Sequence, residues 1–130
     1  MSFSLDSYFG IHAKALTIRE QRTSVLASNL AHIDTPNYKA KDIDFNAALT
    51  SAMQGSSQQI TASSPNHING ESHFNNSLKF RTPNHTSLDG NTVDKDMEIT
   101  IFAENSLGYQ ASLSFLDNKI KSMMTVLRGE

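Results

Sequence analysis

Cysteine and tryptophan are both absent from this chain of 130 residues. The absence of cysteine excludes a disulfide framework, thiol catalysis and a cysteine-based metal site. No apolar run approaches the ~20 residues that a membrane-spanning helix needs, so we expect no direct membrane insertion. The first ten residues also lack the basic start and continuous apolar stretch of a cleavable signal peptide. If the protein leaves the cytoplasm, we expect a route that does not use such a signal.

A block of lysine and arginine is missing too, and the formal net charge is only −2. This balance offers no electrostatic surface to nucleic acid or to an anionic membrane, so we expect neither as a partner. A chain of this length can bury one small core but not two independent ones. We therefore expect a single unit, or a fragment that partners complete.

Catalytic motifs are also missing. The only residues that suggest an active site are the five histidines, His12, His32, His67, His73 and His85. The last three lie in a polar stretch at spacings that match no familiar metal motif, and the chain has no nucleophile elbow or phosphate-binding glycine loop. We expect no enzyme activity, cofactor or metal. A metal-dependent enzyme is the remaining catalytic alternative, and it would keep stoichiometric metal through dialysis.

Apolar residues recur at helical intervals near the N-terminus, between about Leu5 and Ile33. This pattern predicts one long amphipathic helix. The helix must end before Pro36, because the proline ring excludes Thr35 from the α region and removes an amide donor. Asn37 then occupies a turn position that needs a positive φ, which asparagine tolerates better than most residues.

Residues 51–93 have a different character, with Ser, Asn, Thr, His and Gln in the majority. Their few apolar side chains do not offset an ordering entropy of about 1–2 kcal/mol per residue. We therefore predict a flexible polar loop here. The Asp89-Gly90 turn signal predicts a short β-hairpin within residues 80–93.

Helical periodicity returns after Asp94, a favourable N-cap residue, and Gly129 is a plausible stop. Apolar residues then recur in alternating steps of three and four, which is typical of a coiled-coil seam. The predicted seam consists of Phe102, Tyr109, Leu113, Leu116, Ile120, Met123 and Leu127.

The two long terminal helices predict a mainly α fold in which they pair as a coiled-coil-like hairpin. Residues 1–50 and 94–130 would form one discontinuous core domain, with a turn and extension at residues 34–45. The N-terminal helix is apolar over about 200° of its circumference, whereas one packed face needs about 100°. We therefore expect one face of this helix to remain for another chain.

A second apolar ridge is predicted on the C-terminal helix, on the side away from the seam. Leu107, Ala111 and Phe115 follow each other at four-residue intervals there. We interpret this ridge as an assembly face for self-association through the termini. Arg19 and Arg22 lie within the apolar arc of the other helix. They either snorkel to solvent or form inter-subunit ion pairs with an acidic residue such as Glu104 or Asp117.

The stretch from Leu26 to Ala40 resembles the N-terminal signature of flagellar rod, hook and hook-associated axial proteins, approximately A-x-N-[IL]-A-N-x-x-T-P-G-Y-K. The matching residues are Asn29, Leu30, Ala31, Thr35, Pro36, Tyr38 and Lys39. His32 stands where the signature has asparagine, and Asn37 where it has glycine. Further motifs at 42–45, 93–98 and 103–121 most resemble those of proximal-rod proteins.

This resemblance implies a structural subunit of the flagellar basal-body rod, assembling helically with its own copies and with other rod proteins in the periplasm. It further implies contacts with membrane-ring, rod-adaptor and export-gate components, and export by the flagellar type III apparatus without signal cleavage. The alternatives are the second proximal-rod protein and a helical export chaperone or adaptor. A chaperone would stay in the cytoplasm, whereas a rod subunit would cofractionate with basal bodies.

Overall fold

Three helices and two short strands make up the described part of the chain. The structure is a computed structural model, and it describes residues 5–54, 78–85 and 87–129. In chain order the elements are α1 (Leu5–Ala31), β1 (Lys41–Ile43), α2 (Phe45–Gln54), β2 (Leu78–Phe80) and α3 (Lys95–Arg128).

The end of α1 confirms the prediction from the sequence. The helix stops at Ala31, where the amide of His32 still donates to the Ser28 carbonyl at 3.2 Å. Asn37 has a φ of 63°, the left-handed conformation expected after Pro36. The chain thereby reverses direction and enters the extended segment that leads into β1.

Both ends of α3 are capped as predicted. The Asp94 side chain accepts hydrogen bonds from the amides of Asp96 and Met97, at 3.1 and 3.2 Å. These bonds satisfy amides that have no partner within the helix. At the other end Gly129 adopts a φ of 76° and donates its amide to the Thr125 carbonyl at 3.1 Å.

Helices α1 and α3 pack antiparallel, which confirms the predicted hairpin. Asn29 near the end of α1 meets Glu98 near the start of α3. At the opposite end, the Lys119 ammonium donates to the Tyr8 carbonyl at 3.1 Å. The fold class is therefore mainly α, built on two long terminal helices.

The seam on α3 differs from the predicted one. Glu98 and Asn105 are its most buried side chains, and Phe102, Tyr109, Leu116 and Met123 are half-buried against α1. The other predicted members, Leu113, Ile120 and Leu127, are exposed. Polar residues hold the centre of the contact because they find partners on α1, so apolar periodicity alone placed the seam too far around the helix.

The second apolar face of α1 is not left open along its whole length, contrary to the expectation from the sequence. Ile18 on α1 is fully buried with Ile43 of β1 and Ala48 of α2. Phe45 and Leu49 pack against this cluster. The chain therefore covers this face itself, using a helix that the sequence analysis did not predict.

The small sheet also corrects the sequence analysis. Strands β1 and β2 pair antiparallel, with Asp42 opposite Lys79. Of the described residues within 80–93, only Phe80 belongs to a strand, so the hairpin predicted inside that range is wrong. Residues 51–54, assigned to the polar loop, complete α2. The rest of the predicted loop up to residue 77, including His67 and His73, lies outside the described residues.

Candidate assembly surface and the polar junction that supports it

Asn29 of the signature lies fully buried at the junction of three elements. Its amide nitrogen donates to the Lys41 carbonyl at 2.7 Å and to the Glu98 carboxylate at 3.3 Å. Its amide oxygen accepts from the Lys41 backbone amide at 3.2 Å and from the Tyr38 hydroxyl at 3.3 Å. The Asn29 side chain thus pairs with the amide and carbonyl of Lys41 as the backbone of a neighbouring strand would. Through these bonds and the one to Glu98 it links α1 to β1 and α3.

The two departures from the signature fit the turn. The His32 ring stacks on the Tyr38 ring, with centroids 4.5 Å apart and planes 4° from parallel. Its Nδ1 lies 2.7 Å from the Ser28 carbonyl oxygen. Asn37 takes the left-handed conformation and donates its amide to the Asp89 carbonyl at 2.9 Å. Histidine and asparagine therefore preserve the turn at these positions.

Asn91 closes the end of α1 from a distant part of the chain. Its side-chain amide lies within hydrogen-bonding distance of the carbonyl oxygens of His32, Ile33 and Thr35, at 2.9 to 3.0 Å. The His32 and Thr35 carbonyls also accept from the Thr35 and Tyr38 amides, so Asn91 adds a second hydrogen bond at each of them and fixes the turn to the end of α1. Asn91 is buried, and its own oxygen accepts from the Val93 amide. It is a structural residue that the sequence analysis missed.

The other matching signature residues lie around this turn. Leu30 is half-buried, whereas Ala31, Thr35, Pro36 and Lys39 are exposed. The Lys39 ammonium donates to the Gly90 carbonyl at 2.5 Å, beside Asn91. The signature therefore combines buried residues that form the junction with exposed residues at its surface.

Four alternating charges form a chain beneath the sheet. The Arg22 guanidinium binds both oxygens of Asp42, at 2.8 and 2.9 Å. Arg81 binds the same Asp42 carboxylate at 2.9 Å and also donates to Glu98. This chain of four charged side chains connects α1, β1, the residue after β2 and α3, and the side chains are mostly buried.

The environment of this chain moves the two carboxyl pKa values in opposite directions. Burial would raise the pKa of Asp42, but hydrogen bonds from Arg22 and Arg81 outweigh it and lower the pKa below its ordinary value. Burial dominates at Glu98 and raises its pKa, although Asn29 and Arg81 oppose the shift. Asp42 is therefore the better satisfied anion of the two.

The structure separates the two arginines that the sequence analysis considered together. Arg22 is paired with Asp42 of its own chain, an arrangement that neither of the two alternatives, snorkelling or an inter-subunit ion pair, had named. The Arg19 guanidinium lies over the Phe45 ring, 4.2 Å from the centroid, and against Gly108 of α3. Its Nε is buried with no hydrogen-bond partner among the described residues. Arg19 also serves packing within the chain.

The predicted second ridge on α3 is exposed. Leu107 and Phe115 are 69% and 58% exposed, and Ala111 is exposed between them. Phe115 touches α1 at one point, where its ring lies 5.7 Å from that of His12. Together with Leu113 on the other flank of the seam, the ridge leaves apolar surface on both sides of α3.

The described residues contain no cluster of three or more His, Cys, Asp or Glu side chains that could hold a metal ion.

An open cleft of about 410 Å³ lies between the sheet and α2. It is lined by the paired Arg22, Asp42 and Arg81 together with Lys79 and Phe80. Within residues 5–54, 78–85 and 87–129, no helix combines the length and apolar character needed to cross a membrane.

Comparison with known proteins identifies the family to which this chain belongs. A family model of flagella basal body rod proteins matches residues 9–39, which include most of α1 and the turn that follows it. The flagellar basal body rod protein FlgB of Escherichia coli (strain K12) is 46% identical over 132 residues, covering 96% of each chain. This chain belongs to the FlgB family of flagellar basal body rod proteins.

Two further relatives carry the same FlgB description. That of Proteus mirabilis (strain HI4320) is 41% identical, over 95% of this chain and 96% of its own. That of Cereibacter sphaeroides (strain ATCC 17029 / ATH 2.4.9) is 43% identical, over 93% of this chain and 94% of its own. The protein is a structural component of the flagellar basal-body rod and not an enzyme. Family membership implies assembly with other rod components.

Proposed function

We propose that this chain is a subunit of the proximal rod and that it stacks helically with its own copies and with other rod proteins. One observation carries the proposal: similarity to FlgB rod proteins extends through both terminal helices, over 96% of the chain. In the assembled rod, these helices would contribute to the periplasmic shaft that transmits torque and encloses part of the export channel.

The surface of α3 supports assembly by contacts between unlike surfaces. Leu107, Ala111 and Phe115 lie on one side of the α1 contact, and Leu113 and Ile120 lie on the other. A subunit with different apolar flanks can contact one neighbour with each. Contacts of this kind form open helical polymers when the rotation between subunits does not close.

The finer partners follow from the position proposed for the subunit. At the base of the rod it would contact membrane-ring, rod-adaptor and export-gate components. The flagellar type III apparatus would export it without cleavage of a signal. The comparisons do not favour a cytoplasmic chaperone, because the matching relatives are described as rod proteins.

A charge on the exposed ridge tests the assembly surface. Leu107→Glu introduces a carboxylate at a position that is 69% exposed, so the fold of the single chain should persist. If the ridge is buried between subunits, an unpaired charge there costs several kcal/mol and should block rod assembly. Motility in soft agar and the amount of protein in purified basal bodies measure the effect.

Gln110→Glu is the matched control, because residue 110 is also exposed on α3 but lies between the two apolar flanks and off the ridge. We expect Gln110→Glu to retain motility and Leu107→Glu to abolish it while the exported amount of both proteins stays normal. Normal rods built from the Leu107→Glu protein would show that the ridge is not an assembly face.

A further inference from the structure

Two rows of side chains on α3 face α1, and both repeat every seven residues. The apolar row contains Phe102, Tyr109, Leu116 and Met123. The polar row contains Glu98, Asn105, Ser112 and Lys119. All eight side chains are buried or half-buried.

The apolar row cannot define how far α3 is shifted along α1. If α3 slides by seven residues, about 10.5 Å along the helix axis, each apolar side chain takes the place of the next. Two of the three exchanges, between Phe and Tyr and between Leu and Met, largely conserve side-chain volume, which packed cores tolerate. The third is between Tyr and Leu, which are both able to pack in an apolar contact. This row therefore discriminates only weakly between registers.

The polar row differs because three of its members have different partners. Glu98 binds Asn29 and Arg81. Asn105 donates to the Arg19 carbonyl at 3.0 Å and to the Thr23 hydroxyl at 2.8 Å. Lys119 reaches the Tyr8 carbonyl at the far end of the contact. Among the residues that the structure describes, Ser112 donates only to the Gly108 carbonyl of its own helix, so it does not distinguish one register from another.

A slide in either direction breaks these pairings. In one direction Asn105 would replace Glu98, and Arg81 would lose one of its two acidic partners. In the other direction the Glu98 carboxylate would face the Arg19 carbonyl oxygen, where the structure has the Asn105 amide donor. Either slide separates Glu98 from Asn29 and Arg81, and removing the partners of a buried charge is costly in a low-dielectric contact.

We infer that Glu98, Asn105 and Lys119 specify the register of the terminal helix pair, and that the apolar row stabilises the pair without specifying its register. This is the role that single polar residues play in coiled-coil seams. Register in turn determines where Leu107 and Phe115 stand relative to α1, and therefore the shape of the surface offered to a neighbour. The inference concerns the chain's own fold and does not depend on the proposed partners.

Pairs of introduced cysteines can report the register, because the natural chain has no cysteine. His12→Cys with Phe115→Cys reports the observed register, since these rings lie 5.7 Å apart. His12→Cys with Ser122→Cys reports a slide of seven residues in one direction, and Leu5→Cys with Phe115→Cys a slide in the other. A seven-residue slide separates a facing pair by about 10.5 Å along the helix axis, so a short bifunctional thiol reagent joins each pair in one register only.

The decisive variant exchanges two members of the polar row, Glu98→Asn with Asn105→Glu, in the full-length protein. The acid then reaches Asn29 and Arg81 only after the slide that brings residue 122 to residue 12. We expect crosslinking of the 12/122 pair to rise at least about tenfold, the ratio given by about 1.4 kcal/mol of preference, while the 5/115 pair stays unchanged. Glu104→Asn with Asn118→Glu, at exposed positions of α3, is the control of identical composition and should crosslink only at 12/115.

A second variant addresses failure of the exchanged chain to fold. Arg81→Met with Glu98→Met removes one charge of each sign and leaves the Arg22 to Asp42 pair in place. We expect both slipped pairs to crosslink in this variant while circular dichroism retains its helical signal. Crosslinking at 12/115 alone in both variants would overturn the inference. Loss of all three crosslinks in both variants would overturn it too, because the polar row would then be required for pairing itself.

Discussion

The guanidinium of Arg19 on α1 occupies the space beside Gly108 on α3 that a β-carbon would fill. The same guanidinium lies over the Phe45 ring of α2. Arg19 therefore holds three helices together, and the absence of a side chain at Gly108 permits this arrangement. In a helix interior glycine costs about 0.5–1 kcal/mol relative to alanine, so a close contact here compensates for a weak helix former.

Gly108→Ala should show strong coupling to Arg19. In the natural chain we expect the substitution to be close to neutral, because the gain in helix propensity is offset when Arg19 leaves Phe45, a contact worth about 0.5–2 kcal/mol. In an Arg19→Ala background the same substitution should stabilise by about 1 kcal/mol. Urea unfolding of the four proteins in this double-mutant cycle measures the difference. Equal effects in both backgrounds would contradict the contact.

Asn29→Ala should lower the free energy of unfolding by about 2–3 kcal/mol, since it leaves the Lys41 amide and carbonyl groups without their partners. Asn46→Ala is the control, because Asn46 is exposed on α2, and we expect a change of less than about 0.5 kcal/mol. Thermal unfolding followed by circular dichroism compares the two. An equal loss in both variants would assign Asn29 no special role.

Asn91→Asp should destabilise the protein more than Asn91→Ala at neutral pH. Alanine only removes the amide that reaches the carbonyls of His32, Ile33 and Thr35. Aspartate adds a negative charge facing those oxygens at the negative end of the α1 dipole. The difference between the two variants should shrink on acidification, as the new carboxylate protonates. Denaturant midpoints across pH 4–7 give the measurement, and a constant difference would argue against a direct electrostatic cause.

The charge chain predicts a stability maximum at mildly acidic pH. The lowered pKa of Asp42 gives stability that is present above the ordinary value of 3.8 and is lost as pH falls through the lowered value. The raised pKa of Glu98 acts in the opposite sense: its contribution is complete below the ordinary 4.5 and is lost as pH rises through the raised value. The free energy of unfolding should therefore rise and then fall as the solution is acidified.

Two neutral variants separate these contributions. Asp42→Asn should remove the part of the loss below pH 3.8 that Asp42 causes. Glu98→Gln should remove the gain that accompanies acidification towards pH 4.5. Urea titrations at each pH provide the slopes. If the loss of stability below pH 3.8 is the same in Asp42→Asn as in the natural chain, the salt bridges of Asp42 do not contribute to the pH dependence.

The helix boundaries show which features local sequence predicts well. Asp94 caps α3, Gly129 ends it, and Pro36 limits α1, each through contacts within a few residues along the chain. Asp44 caps α2 by accepting a hydrogen bond from the Ala47 amide at 3.1 Å. The helix was missed because its ten residues carry no long periodic pattern that separates them from the polar stretch that follows. Its existence depends on burial of Ala48 against Ile18.

The residues of the candidate site also divide into those with a local sequence signal and those without one. The signature identified Asn29 and Tyr38, and the four-residue spacing identified the exposed ridge of Leu107 and Phe115. The binding of Arg81 to Glu98 and the capping by Asn91 had no local signal, because in each case the partners lie far apart in sequence or on different elements. The apolar pattern of α3 could not distinguish the side that meets α1 from the sides left for other chains.

The amino-acid sequence by itself determined the family, the two long helices and the caps of α3, since these depend on short-range patterns and motif residues. The tertiary structure alone decided which face of α3 meets α1, that α2 covers part of α1, and that Arg22 is paired within its own chain. The physical reason is that burial and charge pairing depend on which residues meet in space. Periodicity along one helix records only that a face is apolar and does not identify the surface that covers it.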